Sequence, residues 1–383
     1  MNRLAAIALF ALIGCTGMFP DDRNNAVHAQ TGTVRMVFAG DVMLDDGVGR
    51  VIAAGGDPLA AFDALLRDAD YTVGNLECPI ATTGEAMADK PYTFRAHPRV
   101  LKVLQGRFDA VSVANNHSGD YGHQALEETL EHLRMAGIAS FGGGLNLREA
   151  HAPLWIERNG LRIALLGYNE FKPRSFEAGP TWPGIAWSED SEVVADIRAA
   201  RGAGADVVIP FMHWDWEMEP KPSERSQTLA RLMIEAGADA VVGGHPHVTQ
   251  GAAIYRDRPI VWSLGNFVFD GFETAETRKG WLLRLTLDRH GVVAWDTIAA
   301  DIDEAGAPHP LEGERTPCGR RGVPEVQQCG GTQPASGAPR SGTSAKLPRF
   351  EQPSDSRKGR EEGMLDSDTP LVRVGHAPRM RGS

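Results

Sequence analysis

Cysteine is scarce in this chain of 383 residues: Cys15, Cys78, Cys318 and Cys329 are all it has, and no two form a Cys-x-x-Cys pair. That excludes a zinc-finger site and a disulfide-dense scaffold. Basic charge is short as well. The 39 Lys and Arg against 50 Asp and Glu leave a net charge of −11, with no basic stripe interleaved with aromatics, so nucleic acid is excluded as the main partner. The apolar run over 4–14 falls short of the ~20 residues that cross a bilayer. Neither a Gly-x-Ser-x-Gly nucleophile elbow nor a Gly-x-x-x-x-Gly-Lys phosphate loop occurs. Aromatics are only 7%, yet hydrophobic residues reach 42%, which supplies a core and excludes wholesale disorder.

Six short segments hold most of the chemistry-capable residues, and each follows an apolar run. They are Ala-Gly-Asp-Val-Met (39–43), Gly-Asn-Leu-Glu (74–77), Ala-Asn-Asn-His-Ser-Gly-Asp (114–120), His-Trp-Asp-Trp-Glu (213–217), Gly-Gly-His-Pro-His (243–247) and Ser-Leu-Gly-Asn-Phe (263–267). Carboxylates, amides and imidazoles gathered from distant strand ends are what a metal site built on a sheet requires. A zinc finger or a surface His cluster would be local.

The two ends read differently from the middle. Residues 1–29 form a targeting segment: Arg3 precedes the apolar run, and two processing sites compete. Leu12-Ile13-Gly14-Cys15 resembles a lipobox, in which Cys15 becomes the acylated first residue, with 16–33 as a polar tether. Val27-His28-Ala29 resembles an ordinary cleavage site before Gln30, but it lies beyond the charged Asp21-Asp22-Arg23. The lipoprotein is the favoured expectation, and either route sends the protein out of the cytoplasm. At the other end, 305–383 carries 12 Gly and 10 Pro, one aromatic (Phe350), and a net charge of +3. Such a stretch buries too little apolar surface to offset its ordering entropy, so a disordered tail is expected there. Cys318 and Cys329 fall inside it and are free to pair in an oxidising compartment.

Between 33 and 300, strands alternate with helices. Strands are predicted at 34–39, 71–73, 110–114, 162–167, 207–213, 240–242 and 260–263, and an antiparallel one at 281–287. Helices are predicted at 58–66, at 124–135 with Leu126, Leu130 and Leu133 on one face, and at 226–236 with Leu229, Leu232, Met233 and Ala236 on one face. This alternation implies an α/β layered fold, whose ligands bind beyond the carboxyl ends of the strands.

Each candidate residue has a bland counterpart. Asp41 after Gly40 is a ligand position or an ordinary turn. Glu77 shares a side with Asn75 and suits a bridging carboxylate, or belongs to a turn introduced by Pro79. Asn115 and Asn116 offer amide oxygens to an ion, or Asx turns. His117 can give a proton to a leaving group, with Asp120 orienting it through the second ring nitrogen or capping the next helix instead. His245 and His247 flank Pro246 after two glycines, which aims both imidazoles toward one or two ions. Trp214 and Trp216, beside His213, read as cleft walls or core, or as a platform for stacking a sugar or base.

Taken in order, Gly40-Asp41, Asn75-Leu76-Glu77, Asn115-Asn116-His117 with Asp120 and Gly122, His213-Trp214, His245-Pro246-His247-Val248 with Gln250-Gly251, and Ser263-Leu264-Gly265-Asn266-Phe267 resemble the CapA/PgsA family. Those are bacterial capsule, or poly-γ-glutamate, synthesis proteins related to the calcineurin-like metallophosphatases. The resemblance spans about 33–300 and implies a four-layer α/β/β/α sandwich. It implies one or two divalent ions (Mn, Fe or Zn) that activate water for attack on phosphorus. Carried over residue by residue, Asp41, Glu77, Asn116, His213, His245 and His247 would be ligands and His117 the general acid. Two positions depart from the superfamily: Met43 stands where a His is common, and Gly-Asn-Leu-Glu replaces Gly-Asp-x-x-Asp.

The expectation is a hydrolase, a phosphoesterase, of cell-envelope polymer metabolism, with an anionic polymer or phosphoester as substrate. The alternative is a non-catalytic, membrane-tethered subunit of a poly-γ-glutamate synthase or export complex.

Overall fold

The computed structural model describes residues 32–330. The leader, Cys15 and the stretch beyond 330 lie outside them. Among the described residues no helix is long and apolar enough to cross a membrane.

Two sheets form the body. The larger runs from edge to edge through Gln327–Gly330, Arg315–Arg320, Gly291–Ile302, Lys279–Asp288, Val34–Val42, Tyr71–Leu76, Ala110–Ser112 and Ala139–Phe141. Its last four strands are parallel, and Asn266–Val268 joins Val34–Val42 in the same sense. The smaller runs through Ala252–Tyr255, Arg258–Val261, Val241–Gly244, Val207–His213, Leu161–Asn169 and Leu154–Arg158, with four parallel strands between antiparallel edges.

Strand periodicity sorts the apolar residues into three cores. Met36 and Phe38 face the second sheet, where Ile163, Leu165, Ile209 and Phe211 meet them. Val37 and Ala39, one residue out of phase, face a helical layer that supplies Val48, Ile52, Leu66, Leu104 and Leu133. On the far side Ala164, Leu166 and Tyr168 pack under the helices Asp190–Gly202 and Glu224–Ala236. Helix, sheet, sheet, helix is the four-layer order expected. Strands buried on both faces read as continuous apolar runs, which is why they were legible in the sequence.

The expected helices sit close to where they were placed. The span 124–135 is Gly122–Met135, and 226–236 is Glu224–Ala236, capped by the Ser223 side chain and ended at Gly237 with φ 123°. The buried face of the latter is Leu229, Ala230, Met233 and Ile234, whereas Leu232 and Ala236 are half-buried. At 58–66 the chain makes a 3₁₀ turn, Ala60–Phe62, and then the short helix Asp63–Arg67.

The tail boundary needs correction. Residues 308–330, expected to begin the disordered segment, form the strands Pro308–Pro310, Arg315–Arg320 and Gln327–Gly330. The first two pair with the backbone of Gly291–Ile302, and Gln327–Gly330 pairs with Arg315–Arg320, to which a Cys318–Cys329 disulfide also ties it. An edge strand needs partners for its N–H and C=O groups more than it needs apolar side chains, so composition misjudged it.

Candidate metal centre

The carboxyl ends of the parallel strands in both sheets meet at one edge, and most bring a polar residue. Asp41 pairs in register with Asn75 on one side and Asn266 on the other. His213 ends its strand in register with Gly244 and Asn169. Gly40 is obligatory: a Cβ there would lie 2.0 Å from the Gly265 carbonyl oxygen, which accepts from the Asp41 N–H. The Gly-Gly-His-Pro-His segment does not stay extended. His245 and His247 take φ of 97° and 57°, a left-handed backbone that side chains avoid and that the surrounding structure must impose. Their imidazoles consequently enter two neighbouring groups rather than one.

Glu77, His213 and His245 form one buried group of potential ligands, and Asp41, Glu77 and His247 the other, with Glu77 common to both. In the first, His213 Nε2 lies 2.7 Å from Asn116 Oδ1, 3.0 Å from His245 Nδ1 and 3.5 Å from Glu77 Oε1. In the second, His247 Nδ1 lies 3.4 Å from Asp41 Oδ2 and its Nε2 3.7 Å from Glu77 Oε1. All six residues expected to ligate an ion therefore converge. Two buried atoms here, Glu77 Oε1 and His245 Nε2, have no hydrogen-bond partner. Buried polar atoms are rarely left so, and Glu77 Oε1 lies between the imidazoles of the two groups, where a cation would satisfy it. Mixed imidazole, amide and carboxylate donors fit a divalent ion of the Mn, Fe or Zn kind.

Met43 is not among them. Its side chain packs in the helix-side core, and its sulfur accepts from the Asp45 N–H at 3.1 Å. The second group thus has three protein ligands where the first has four.

The loop after Ala110–Ser112 divides its labour. Asn115 Oδ1 makes an Asx turn to the His117 N–H, whereas Asn116 Oδ1 points at His213. His117 Nδ1 donates to Asp120 Oδ2 at 2.7 Å, leaving Nε2 for a substrate. Asp120 does not cap the following helix: its carboxylate also receives Lys90 Nζ and the Phe94 N–H. Lys90 Nζ further donates to the Asn116 carbonyl at 2.7 Å.

Phenylalanines roof the imidazoles: Phe94 over His117, Phe171 over His245 and Phe272 against His247, with centroids 4.6, 3.9 and 4.9 Å apart. This dry setting governs the charges. Burial, only partly opposed by Asp41, pushes His213 down to about 3, and burial with the neighbouring imidazoles holds His245 well below its ordinary value. Both therefore keep free lone pairs at neutral pH. Burial would raise Asp41 and lower His247, but their mutual hydrogen bond and attraction win, so Asp41 is lowered and His247 raised. Glu77 has no such relief: burial and Asp41 push its carboxyl well above the usual range.

Sequence reasoning left roles unassigned for three residues that the tertiary structure puts to use. Asn75 donates to Asp41 Oδ1 at 2.8 Å, approaches His213 Nδ1 at 3.3 Å, and accepts from Asn115. Asn266 Oδ1 accepts from His247 Nδ1 at 2.8 Å. Both lay inside segments singled out in the sequence. Lys90 did not, and in a polar loop no local pattern marks it.

A family model described as bacterial capsule synthesis protein PGA_cap matches residues 35–271. The chain is 33% identical over 280 residues to the PGA biosynthesis protein CapA of Bacillus subtilis (strain 168), covering 72% of this chain and 73% of that protein. It is 30% identical over 293 residues to the capsule biosynthesis protein CapA of Bacillus anthracis, covering 74% and 71%. Among solved structures it is similar to a hypothetical protein from Thermus thermophilus, with a TM-score of 0.46 and 16% identity over 70% of this chain and 99% of that one.

Proposed function

Because this chain belongs to the bacterial capsule synthesis protein family, we propose that it is a metal-dependent hydrolase, a phosphoesterase, serving capsule or poly-γ-glutamate synthesis at the cell envelope. The observation that carries this reading is the buried Glu77 carboxylate shared by two ligand groups, with a His–Asp pair beside it. Glu77, Asn116, His213 and His245 would hold one ion, and Asp41, Glu77 and His247 a second. Such an ion supplies Lewis acidity, withdrawing charge from a phosphoryl oxygen and acidifying water.

The chain's own residues do the rest. Asp120 fixes the His117 ring through Nδ1, so that Nε2 holds the proton destined for the leaving oxygen. Burial keeps His117 below its ordinary pKa in the free protein, against the pull of Asp120; an anionic phosphoryl group alongside pushes it back up. Lys90, with only 13% of its side chain exposed, binds Asp120 and the Asn116 carbonyl, tying the acid to the ligand loop. The phenylalanine roof thins the water around them.

The leader read in the sequence supports a location outside the cytoplasm, and on the membrane if Cys15 is acylated. A synthase complex would be its partner there, and an anionic polymer or phosphoester its substrate. One observation favours a second reading, a non-catalytic subunit of such a complex: Met43 is withdrawn into the core, which leaves the second group short of a ligand.

Metal analysis of the purified protein, followed by phosphodiester turnover, separates the two. Bound Mn, Fe or Zn is expected, with turnover that His117→Ala slows roughly 100-fold or more while metal content stays the same. Wild type that binds no metal and hydrolyses no phosphodiester ends the enzyme reading.

A further inference from the structure

We propose, resting on the metal-centre reading, that Trp216 forms the floor of a sugar subsite beside that centre, and that the ligand carries a neutral pyranose ring there. Two tryptophans follow His213, and the structure treats them oppositely. Trp214 is wholly buried, its Nε1 donating to the Trp262 carbonyl at 2.9 Å. Trp216 is 66% exposed.

The exposure is built. Asp215 and Met218, at φ of 69° and 63°, bracket Trp216 and Glu217 with left-handed backbone that a methionine avoids. The loop is pinned against relaxing. The Met218 N–H donates to the Pro246 carbonyl at 2.8 Å, between the two histidines, and Gln250 Nε2 donates to the Glu219 carbonyl at 3.0 Å. Asp215 Oδ1 accepts from the Ser226 hydroxyl and the Ser223 N–H. So held, the indole meets Phe171 edge to face, with centroids 5.5 Å apart and planes at 90°, and Phe171 lies on His245. An aromatic path therefore runs from a ligand imidazole to an open indole.

The exposed carboxylate on this loop selects the occupant. Glu217 stands next to Trp216, and its charge reaches Glu77 and His247. A carboxylate accepts only, so the occupant must bring donors, an apolar face for the indole, and no negative charge of its own. A pyranose ring has a C–H face and a rim of hydroxyls. A glutamyl carboxylate would be repelled, and an ammonium group is better served by an enclosed aromatic cage than by so exposed an indole.

Saturation-transfer NMR on the full chain, with and without diamagnetic Zn²⁺, tests this using methyl α-glucoside, maltose, adenosine and a γ-glutamyl dipeptide as probes. Transfer to the C–H protons of the sugars is expected in wild type, about fivefold weaker in Trp216→Ala and retained in Trp216→Tyr, with metal content and melting unchanged. No transfer to either sugar, transfer indifferent to Trp216→Ala, or stronger transfer to adenosine or the dipeptide overturns the proposal. The probes carry no phosphorus, so the outcome is separate from hydrolysis. Sugar binding without phosphodiester turnover leaves the subsite standing and removes the hydrolase; turnover without sugar binding does the reverse.

Discussion

Replacing Glu77 by Gln should invert the stability order of wild type and variant according to whether metal is present. Glu77 is fully buried, and its Oε1 has no donor and lies 3.5 Å from His213 Nε2 and 3.7 Å from His247 Nε2. A buried acceptor left unpaired costs about 1–3 kcal/mol. An amide of the same shape cannot ionise in that buried setting and offers N–H donors to the neighbouring imidazoles. In EDTA, then, Glu77→Gln should be at least as stable as wild type, by up to about 1–3 kcal/mol, or roughly 2–4 °C in Tm per kcal/mol for a domain somewhat smaller than this. With Mn²⁺ at about a hundred times its Kd, wild type should gain about 2.7 kcal/mol. The variant should gain little, because it has lost the one ligand common to both groups. Differential scanning calorimetry in EDTA and in MnCl₂ measures all four states. A wild-type Tm that moves with neither Mn²⁺ nor Zn²⁺, or a variant several kcal/mol less stable than wild type in EDTA, would refute the reasoning.

Two other predictions reach different parts of the molecule. Asp120→Asn should leave metal content intact and lower kcat by roughly 10–100-fold, because it releases the His117 ring and Lys90 together; single-turnover kinetics that show unchanged chemistry would exclude a positioning role. Glu128 accepts from the backbone and hydroxyls of both Thr82 and Thr83, and these bonds outweigh burial to hold its carboxyl at about 2. Its folded pKa lies below the unfolded one, so its contribution is present in full above about pH 4.5 and is lost as pH falls toward 2. The contribution is about 1–2 kcal/mol after allowance for solvent screening, so urea midpoints of wild type should fall over that window and those of Glu128→Gln should fall less.

Much of the fold was legible because its signals are local. Apolar runs at 34–39 and 207–213 mark strands buried on both faces, and Leu126, Leu130 and Leu133 mark a helix within 14 residues. The six candidate ligands were legible for the same reason: each ends an apolar run. Helix Asp190–Gly202 carries no comparable signal, because its apolar positions, Val193, Ile197 and Ala200, are sparse among charges. The strands beyond 305 escaped because what orders them is a neighbour's backbone and a disulfide.

By itself, then, the sequence determined that Asp, Glu, Asn and His stand at strand ends, and in what order. Only tertiary structure decided that Glu77 belongs to two groups at once, that Met43 turns away into the core, and that Lys90 joins Asp120. It also decided that of two tryptophans two residues apart, one is core and the other faces solvent. The reason is sequence separation. Asp41 and His245 are 204 residues apart, and their hydrogen bond exists only because two sheets bring their strand ends to one edge. No periodicity of 2 or 3.6 residues carries that information.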